Sequence, residues 1–129
     1  MEIQIKRIYD DAAQNDGLRV LVDRLWPRGI KKEDADVDLW AKDLAPSDEL
    51  RKEFNHDPEK FDQFAQDYEK ELAERDEAAD LIEEIKDEDP DRMTLLYAAR
   101  DKECNHALVL QRYLQKHIAG ASFASPRSV

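Results

Sequence analysis

Two groups of charged and polar residues each follow an apolar stretch of the chain, and their side chains are suited to binding an anion. The apolar stretches are residues 18–22 and 93–99. Arginine presents a planar fork of N–H donors that matches phosphate or carboxylate, and it is mostly exposed unless it has an anionic partner. The candidate ligand-binding residues are Asp23, Arg24, Arg28, Arg100, Asp101 and Asn105, and the candidate catalytic residue is His106.

His106 is the candidate acid or base because imidazole titrates closest to neutral pH among the side chains. It follows Asn105 at a predicted helix start, a position that also suits a structural histidine bonded to a backbone carbonyl. The arginines have a similar alternative, since Arg24 and Arg28 can pair with an internal carboxylate, that of Asp23, Asp43 or Asp101. Both interpretations stay open at the level of sequence.

The remaining reactive side chains point to no further chemistry. Cys104 is the only cysteine, which excludes an internal disulfide, and on a helix its side chain would point away from His106. His56 is expected to shape the loop before a helix, and reaching the crevice is the alternative. The histidines and the cysteine lack a recognised metal-ligand spacing, and the three glycines form neither a Walker nor a Rossmann phosphate loop. Asp23, Asp101 and His106 are the one set that could in principle hold a divalent ion, and we predict no metal site and no cofactor.

Composition and charge predict one soluble, cytoplasmic domain. The chain has 129 residues, of which 41% are hydrophobic and 40% charged, and no apolar stretch approaches the roughly 20 residues that span a membrane. The first residues lack the apolar core of a secretory signal, and we expect no membrane partner. A net charge of −11 disfavours nucleic acid as a partner, apart from a small basic face within residues 6–7 and 24–32. The oligomeric state is left open.

Alternating strand and helix patterns predict an α/β fold. Apolar runs with β-branched residues predict strands over residues 3–9, 18–22 and 93–99. Apolar residues at three- and four-residue spacing predict helices over residues 37–44, 47–54, 58–72, 78–85 and 105–118. We expect a single three-layer domain over residues 1–119, with a small, mostly parallel central sheet flanked by helices. Residues 120–129 are expected to form a loosely ordered tail.

The predicted fold brings the two polar groups together. The long connection between strands 18–22 and 93–99 is compatible with a parallel pairing, and ligands of parallel sheets gather beyond the carboxyl ends of the strands. If these strands are neighbours, Asp23 and Arg24 lie at the same edge as Asn105 and His106. The convergence is a prediction about the fold, because the two groups are far apart in sequence.

Five separated motifs occur in one order along the chain. They are residues 16–29 (DGLRVLVDRLWPRG), 44–47 (LAPS), 50–58 (LRKEFNHDP), 94–101 (TLLYAARD) and 105–107 (NHA). Together they resemble the YeaO-like family of small uncharacterised prokaryotic proteins, and the resemblance covers about residues 3–118. It implies a cytoplasmic α/β domain of unknown function. It carries no catalytic residue onto this chain, and Cys104 lies outside the family's pattern.

Three functions are compatible with these residues. The first is a module that binds a small anionic ligand through Arg24, Arg28 and Arg100, with Asn105 and His106 orienting it. The second is a small hydrolase- or transferase-type enzyme in which His106 transfers a proton and the arginines stabilise a developing anion. The third is a nucleic-acid-associated protein. We favour the first, because it needs only geometry and charge.

Overall fold

The computed structural model describes residues 1–118 and 122–123, which form a five-stranded parallel sheet and five α-helices. Neighbouring strands follow the order β3-β2-β4-β1-β5, and every pair is parallel. The predicted α/β fold is therefore confirmed. The strands are β1 (Glu2–Arg7), β2 (Leu18–Leu21), β3 (Leu39–Trp40), β4 (Arg92–Tyr97) and β5 (Ser122–Phe123). The helices are α1 (Lys32–Ala35), α2 (Asp48–Phe54), α3 (Phe61–Glu74), α4 (Asp76–Glu88) and α5 (His106–His117).

Strands β2 and β4 are neighbours, as the sequence predicts. Both are apolar enough to be buried on both faces, which suits the interior of a parallel sheet. Val20 lies opposite Leu95, and beyond the end of β2 the Val22 amide still donates to the Leu96 carbonyl at 3.0 Å. The two strands therefore end together and deliver the residues that follow them to the same edge of the sheet.

The two faces of the sheet are covered unequally. Inward-facing residues of one face, such as Val20 and Leu95, share a hydrophobic cluster with side chains of α2, α3, α4 and α5. On the other face, Leu21 and Leu96 pack with Ala35 of α1 and with two partly buried tryptophans. The helical layer is thus thick on one side of the sheet and reduced to α1 and loops on the other.

The predicted helix over residues 37–44 is wrong. Leu39–Trp40 forms β3, which pairs with β2 at the sheet edge, and residues 42–44 form a single 3₁₀ turn. The Ala41 amide donates to the Leu21 carbonyl at 2.8 Å, and the Trp40 ring meets Trp26 edge-on at a centroid distance of 5.2 Å. A short run of apolar residues fits helical and extended spacing alike, and pairing with β2 decided between them.

The other predicted helices are confirmed, and side chains cap two of them. The Ser47 hydroxyl accepts from the Leu50 amide, and the Asn105 side chain accepts from the Leu108 amide. Asp57 caps a 3₁₀ turn that leads into α3. Within the described residues, no helix is long and apolar enough to cross a membrane.

The chain beyond α5 is described only in part. Ser122–Phe123 pairs with the start of β1, an element that the sequence pattern does not predict. The rest of the tail predicted over residues 120–129 lies outside the described residues. The predicted domain boundary at residue 119 stays a prediction.

Candidate functional site

A cavity of about 360 Å³ opens at the carboxyl ends of β2 and β4. We call it the crevice. Its walls come from the loop after β2, the end of α2 with the turn that follows, and the start of α5. Ligand pockets of proteins measure roughly 300–1,000 Å³, so a small organic molecule fits. Its polar lining includes Asp23, Arg24, Arg51, Lys52, His56 and His106, and its apolar lining includes Leu25, Pro46, Phe54, Phe64 and Ala99.

Asp23 is held in place by contacts on both sides. Its Oδ2 atom accepts from the Ala98 amide at 3.0 Å, just beyond the end of β4. Its carbonyl oxygen accepts from Trp40 Nε1 at 2.9 Å. Only 16% of the side chain is exposed. The carboxylate thus extends the pairing of β2 and β4 and lies at the inner end of the crevice.

His106 contacts two acceptors through one ring nitrogen. Its Nε2 atom lies 3.1 Å from the Val22 carbonyl oxygen and 3.0 Å from Asp23 Oδ1. Because both neighbours only accept, Nε2 carries the proton and the neutral ring has its lone pair on Nδ1. The Nε2–H group has hydrogen-bond geometry toward Val22, which leaves the buried Asp23 Oδ1 without a hydrogen-bond donor among the described residues.

The mouth of the crevice is cationic. Arg24 Nε and Arg51 Nη1 lie 3.7 Å and 3.2 Å from the same oxygen of Asp48, and each of the three side chains is about half exposed. Lys52 follows on α2 and also lines the cavity. Two guanidinium groups share one carboxylate, so positive charge is left over at this position.

The end of α2 gives the crevice its second wall. Helix α2 begins at the Ser47 cap, and a one-turn spacing brings Arg51 beside Asp48. Asn55 and His56 both adopt positive φ, at 46° and 55°, and turn the chain sharply after the helix. Phe54 anchors this turn by stacking on Phe64 at a centroid distance of 4.5 Å. The aromatic contact fixes the position of the polar residues around it.

Four of the seven predicted site residues line the crevice. Asp23, Arg24, Asn105 and His106 converge there from the two strand ends, as expected from a parallel pairing. Asn105 is 2% exposed and mainly structural, since its side chain caps α5 and donates to the Asp101 carbonyl at 3.0 Å.

The other three predicted residues lie outside the lining of the crevice. The Arg28 carbonyl accepts from the Tyr9 hydroxyl, and Arg100 is exposed. The Asp101 carboxylate accepts from the amides of Cys104 and Glu103, which lower its pKa. It therefore shapes the turn that precedes α5.

Sequence reasoning missed the residues that α2 contributes. Arg51 and Lys52 have the same chemistry as Arg24, but nothing in their spacing links them to a strand end. His56 reaches the crevice as well as shaping its loop. Cys104 also lines the cavity, and burial raises the pKa of its thiol, with nearby carboxylates adding to that effect. A protonated thiol is a poor nucleophile.

The described side chains include no group of three or more histidines, cysteines or carboxylates that could hold a metal ion. Asp23 and His106 are adjacent, but the structure supplies no third ligand of this type.

A family model described as "Inactive DUF488-N3 subclade" matches residues 2–128. The chain belongs to this subclade. It is 47% identical over 115 residues to "Uncharacterized protein YeaO" of Escherichia coli, covering 89% of this chain and 98% of that protein. It is 46% identical over 112 residues to "Uncharacterized protein Mb3100c" of Mycobacterium bovis, covering 87% and 92%. The resemblance to the YeaO-like family is confirmed. No solved structure gives a significant match.

The match to the DUF488-N3 subclade includes every element that builds the crevice, since β2, α2, β4 and α5 all fall within residues 2–128. The crevice is therefore part of the family domain and not an appendage of this chain.

Proposed function

We propose that the crevice binds a small organic anion, with its phosphate or carboxylate group at Arg24, Arg51 and Lys52. The observation that carries the proposal is the position of these three cations at the mouth of a cavity of about 360 Å³, in a chain with a net charge of −11. An excess of acid elsewhere makes a local cationic surface the place where an anion accumulates.

The contact with Asp48 leaves the arginines available to a ligand. Asp48 is 57% exposed, and its distance to Arg24 is 3.7 Å. Exposed ion pairs of this kind contribute roughly 0–1 kcal/mol, so exchanging Asp48 for a ligand costs little. A phosphate or carboxylate can also accept two parallel N–H bonds from one guanidinium, which the 3.7 Å contact does not provide.

The apolar lining indicates that the ligand has a carbon skeleton. Phe54, Phe64 and Pro46 are buried and face the cavity, and Leu25 at its edge is 69% exposed. Burying a ligand's hydrocarbon against these side chains removes apolar surface from water. An inorganic ion alone uses only the charged part of the lining.

An enzymatic role for His106 has less support. Its Nε2 proton is directed to the Val22 carbonyl, so only Nδ1 remains to accept a proton from a substrate. The family description also uses the word inactive. Turnover of a bound phosphate ester that disappears in His106→Gln would favour the hydrolase or transferase alternative.

Nucleic-acid binding is supported least. Lys6 contacts Asp16 at 3.3 Å, and the Arg7 guanidinium donates to the carbonyls of Ala98 and Ala99. These internal contacts occupy the first part of the basic face predicted from the sequence.

The test is isothermal titration calorimetry with propyl phosphate, which combines a phosphate with a short hydrocarbon. We expect Arg24→Ala and Arg51→Ala each to weaken binding about tenfold, because hydrogen bonds to charged groups contribute about 1.5–3 kcal/mol. Arg112→Ala is the matched control, since this arginine is exposed on α5 and does not line the crevice.

Two outcomes contradict the proposal. One is wild-type protein that binds neither propyl phosphate nor any other short alkyl or aminoalkyl phosphate. The other is equal weakening in Arg112→Ala, which would indicate attraction to the whole surface. Arg28→Ala and Arg100→Ala should keep the wild-type affinity for propyl phosphate, because neither arginine lines the cavity. Weaker binding in either variant would favour the wider set of arginines predicted from the sequence.

A further inference from the structure

We infer that the crevice selects ligands carrying an ammonium or similar N–H donor opposite their anionic group, and that Asp23 Oδ1 accepts this donor. The inference rests on the proposed function, which places the anionic group at Arg24 and Arg51. It adds a second contact, from the donor end of the ligand to Asp23, and so defines the ligand class. The ligands are short zwitterions such as aminoalkyl phosphates or ω-amino acids.

The main observation is the unequal use of the two Asp23 oxygens. Oδ2 accepts from the Ala98 amide at 3.0 Å, whereas Oδ1 is buried and has no hydrogen-bond partner among the described residues. A buried acceptor without a donor is costly, and a group of this kind in a native protein calls for an explanation. Oδ1 is closed to solvent in the structure, so a donor on a bound ligand provides one when the Asp23 side chain turns this oxygen toward the cavity that Asp23 lines.

His106 does not satisfy this oxygen when its ring is neutral. Its Nε2 atom is 3.0 Å from Oδ1, but it has one proton, which has hydrogen-bond geometry toward the Val22 carbonyl at 3.1 Å. The carboxylate is therefore close to a donor atom whose hydrogen is directed elsewhere. Its negative charge is left at the inner end of the crevice.

The charges of the crevice are separated by depth. The Arg24 and Arg51 side chains at its mouth are each 48% exposed, while Asp23 is 16% exposed. A ligand that is anionic throughout is attracted at the mouth and repelled further in. A ligand with a cationic or N–H-donating end matches both positions, and discrimination of this kind arises from charges that repel the wrong ligand.

The test compares ligands that differ only at the inner end. Phosphoethanolamine and propyl phosphate form one pair, in which a methyl group replaces the ammonium group. Two longer pairs, 3-aminopropyl phosphate with butyl phosphate and 4-aminobutyl phosphate with pentyl phosphate, cover other distances between the ends. We expect the amine of at least one pair to bind wild-type protein about tenfold more tightly than its methyl counterpart, as measured by calorimetry.

Asp23→Asn tests the assignment to this residue. Asparagine keeps one oxygen for the Ala98 amide and places an NH₂ group where Oδ1 was, so the preference for the amine should disappear. Asp87→Asn is the matched control, because it removes one negative charge from an exposed position on α4 and should keep the preference. This control is needed since a chain of charge −11 attracts any less negative ligand.

The results separate this inference from the proposed function. Equal affinity for the amine and methyl members of every pair overturns the inference and leaves anion binding intact. An amine preference that survives in Asp23→Asn also overturns it. If wild-type protein binds no member of any pair, the proposed function fails as well. Equal affinities in the wild-type comparison overturn the inference even if Asp23→Asn does not fold.

Discussion

Two charged side chains lie away from the crevice in a buried ion pair. Asp16 is 2% exposed and Arg19 is 5% exposed, and their carboxylate and guanidinium groups are 2.5 Å apart. Arg19 also donates to the carbonyls of Ala35 and Asp36, which ties β2 to α1. Burial raises the pKa of Asp16, but bonds from the Ala13 amide, Arg19 and Lys6 outweigh it and lower the pKa overall.

Removing the Asp16 charge should destabilise the fold. We expect Asp16→Asn to lower the free energy of unfolding by about 3 kcal/mol, because it leaves the buried Arg19 guanidinium uncompensated. Urea unfolding followed by circular dichroism measures the change. Asp87→Asn, exposed on α4, is the control and should change stability by less than about 0.5 kcal/mol.

The same pair predicts the direction of pH dependence. A carboxyl group whose pKa is lower in the folded state stabilises the protein above its unfolded pKa, about 3.9, and loses that contribution as pH falls through the folded value. The free energy of unfolding of wild-type protein should therefore approach that of Asp16→Asn as pH falls below about 4. A difference in the free energy of unfolding between the two proteins that stays constant down to pH 2 would contradict a lowered pKa of Asp16.

At the scale of elements, the cap of α2 determines where the cations of the crevice lie. The Ser47 hydroxyl accepts from the Leu50 amide, and both its amide and its hydroxyl donate to Glu71 of α3. These contacts fix the start of the helix relative to its neighbour. Arg51 follows one turn later.

Removing this cap should affect both stability and binding. We expect Ser47→Ala to reduce the free energy of unfolding by about 1–2 kcal/mol, since it removes the N-cap and the bond to α3. Affinity for propyl phosphate should fall by a smaller factor than in Arg51→Ala. Ser47→Thr keeps the hydroxyl and is the control; a loss of stability as large as in Ser47→Ala would show that the hydroxyl is not the cause.

The elements differ in how far local sequence could predict them. Ser47 and Asn105 cap helices with side chains that bond amides three residues away, so their role is visible in sequence. Trp40 is different, because its partners Asp23 and Trp26 are distant in sequence and its strand depends on pairing with β2. The spacing of residues 37–44 carried no information about that partner.

For the whole molecule, one close approach ties the first connection to the central strand. Gly17 has φ of 69°, and a β-carbon there would lie 2.1 Å from the Arg92 carbonyl oxygen at the start of β4. Both the backbone conformation and the contact require glycine. Gly29 has φ of 79°, but among the described residues no atom beyond its chain neighbours lies within 4 Å of its β-carbon position.

The two glycines form a matched pair of substitutions. We expect Gly29→Ala to cost about 1 kcal/mol through backbone strain alone. Gly17→Ala should cost at least about 2 kcal/mol more, because a backbone carbonyl in the central sheet must move. Thermal unfolding of both variants measures the difference. Equal losses of stability in Gly17→Ala and Gly29→Ala would mean that the chain relaxes around Gly17 without disturbing β4.

The sequence by itself determined the α/β class and the positions of four helices, α2, α3, α4 and α5, because these follow from apolar patterns and bonds between near neighbours. It was compatible with a parallel pairing of β2 and β4, which the tertiary structure shows. Only the tertiary structure decided that Arg51 and Lys52 join Arg24 at the mouth of the crevice. It also decided that Asp23 Oδ1 lacks a hydrogen-bond donor, as the Val22 carbonyl takes the proton of His106. Contacts between residues far apart in sequence leave no periodic pattern, so only the folded chain reveals them.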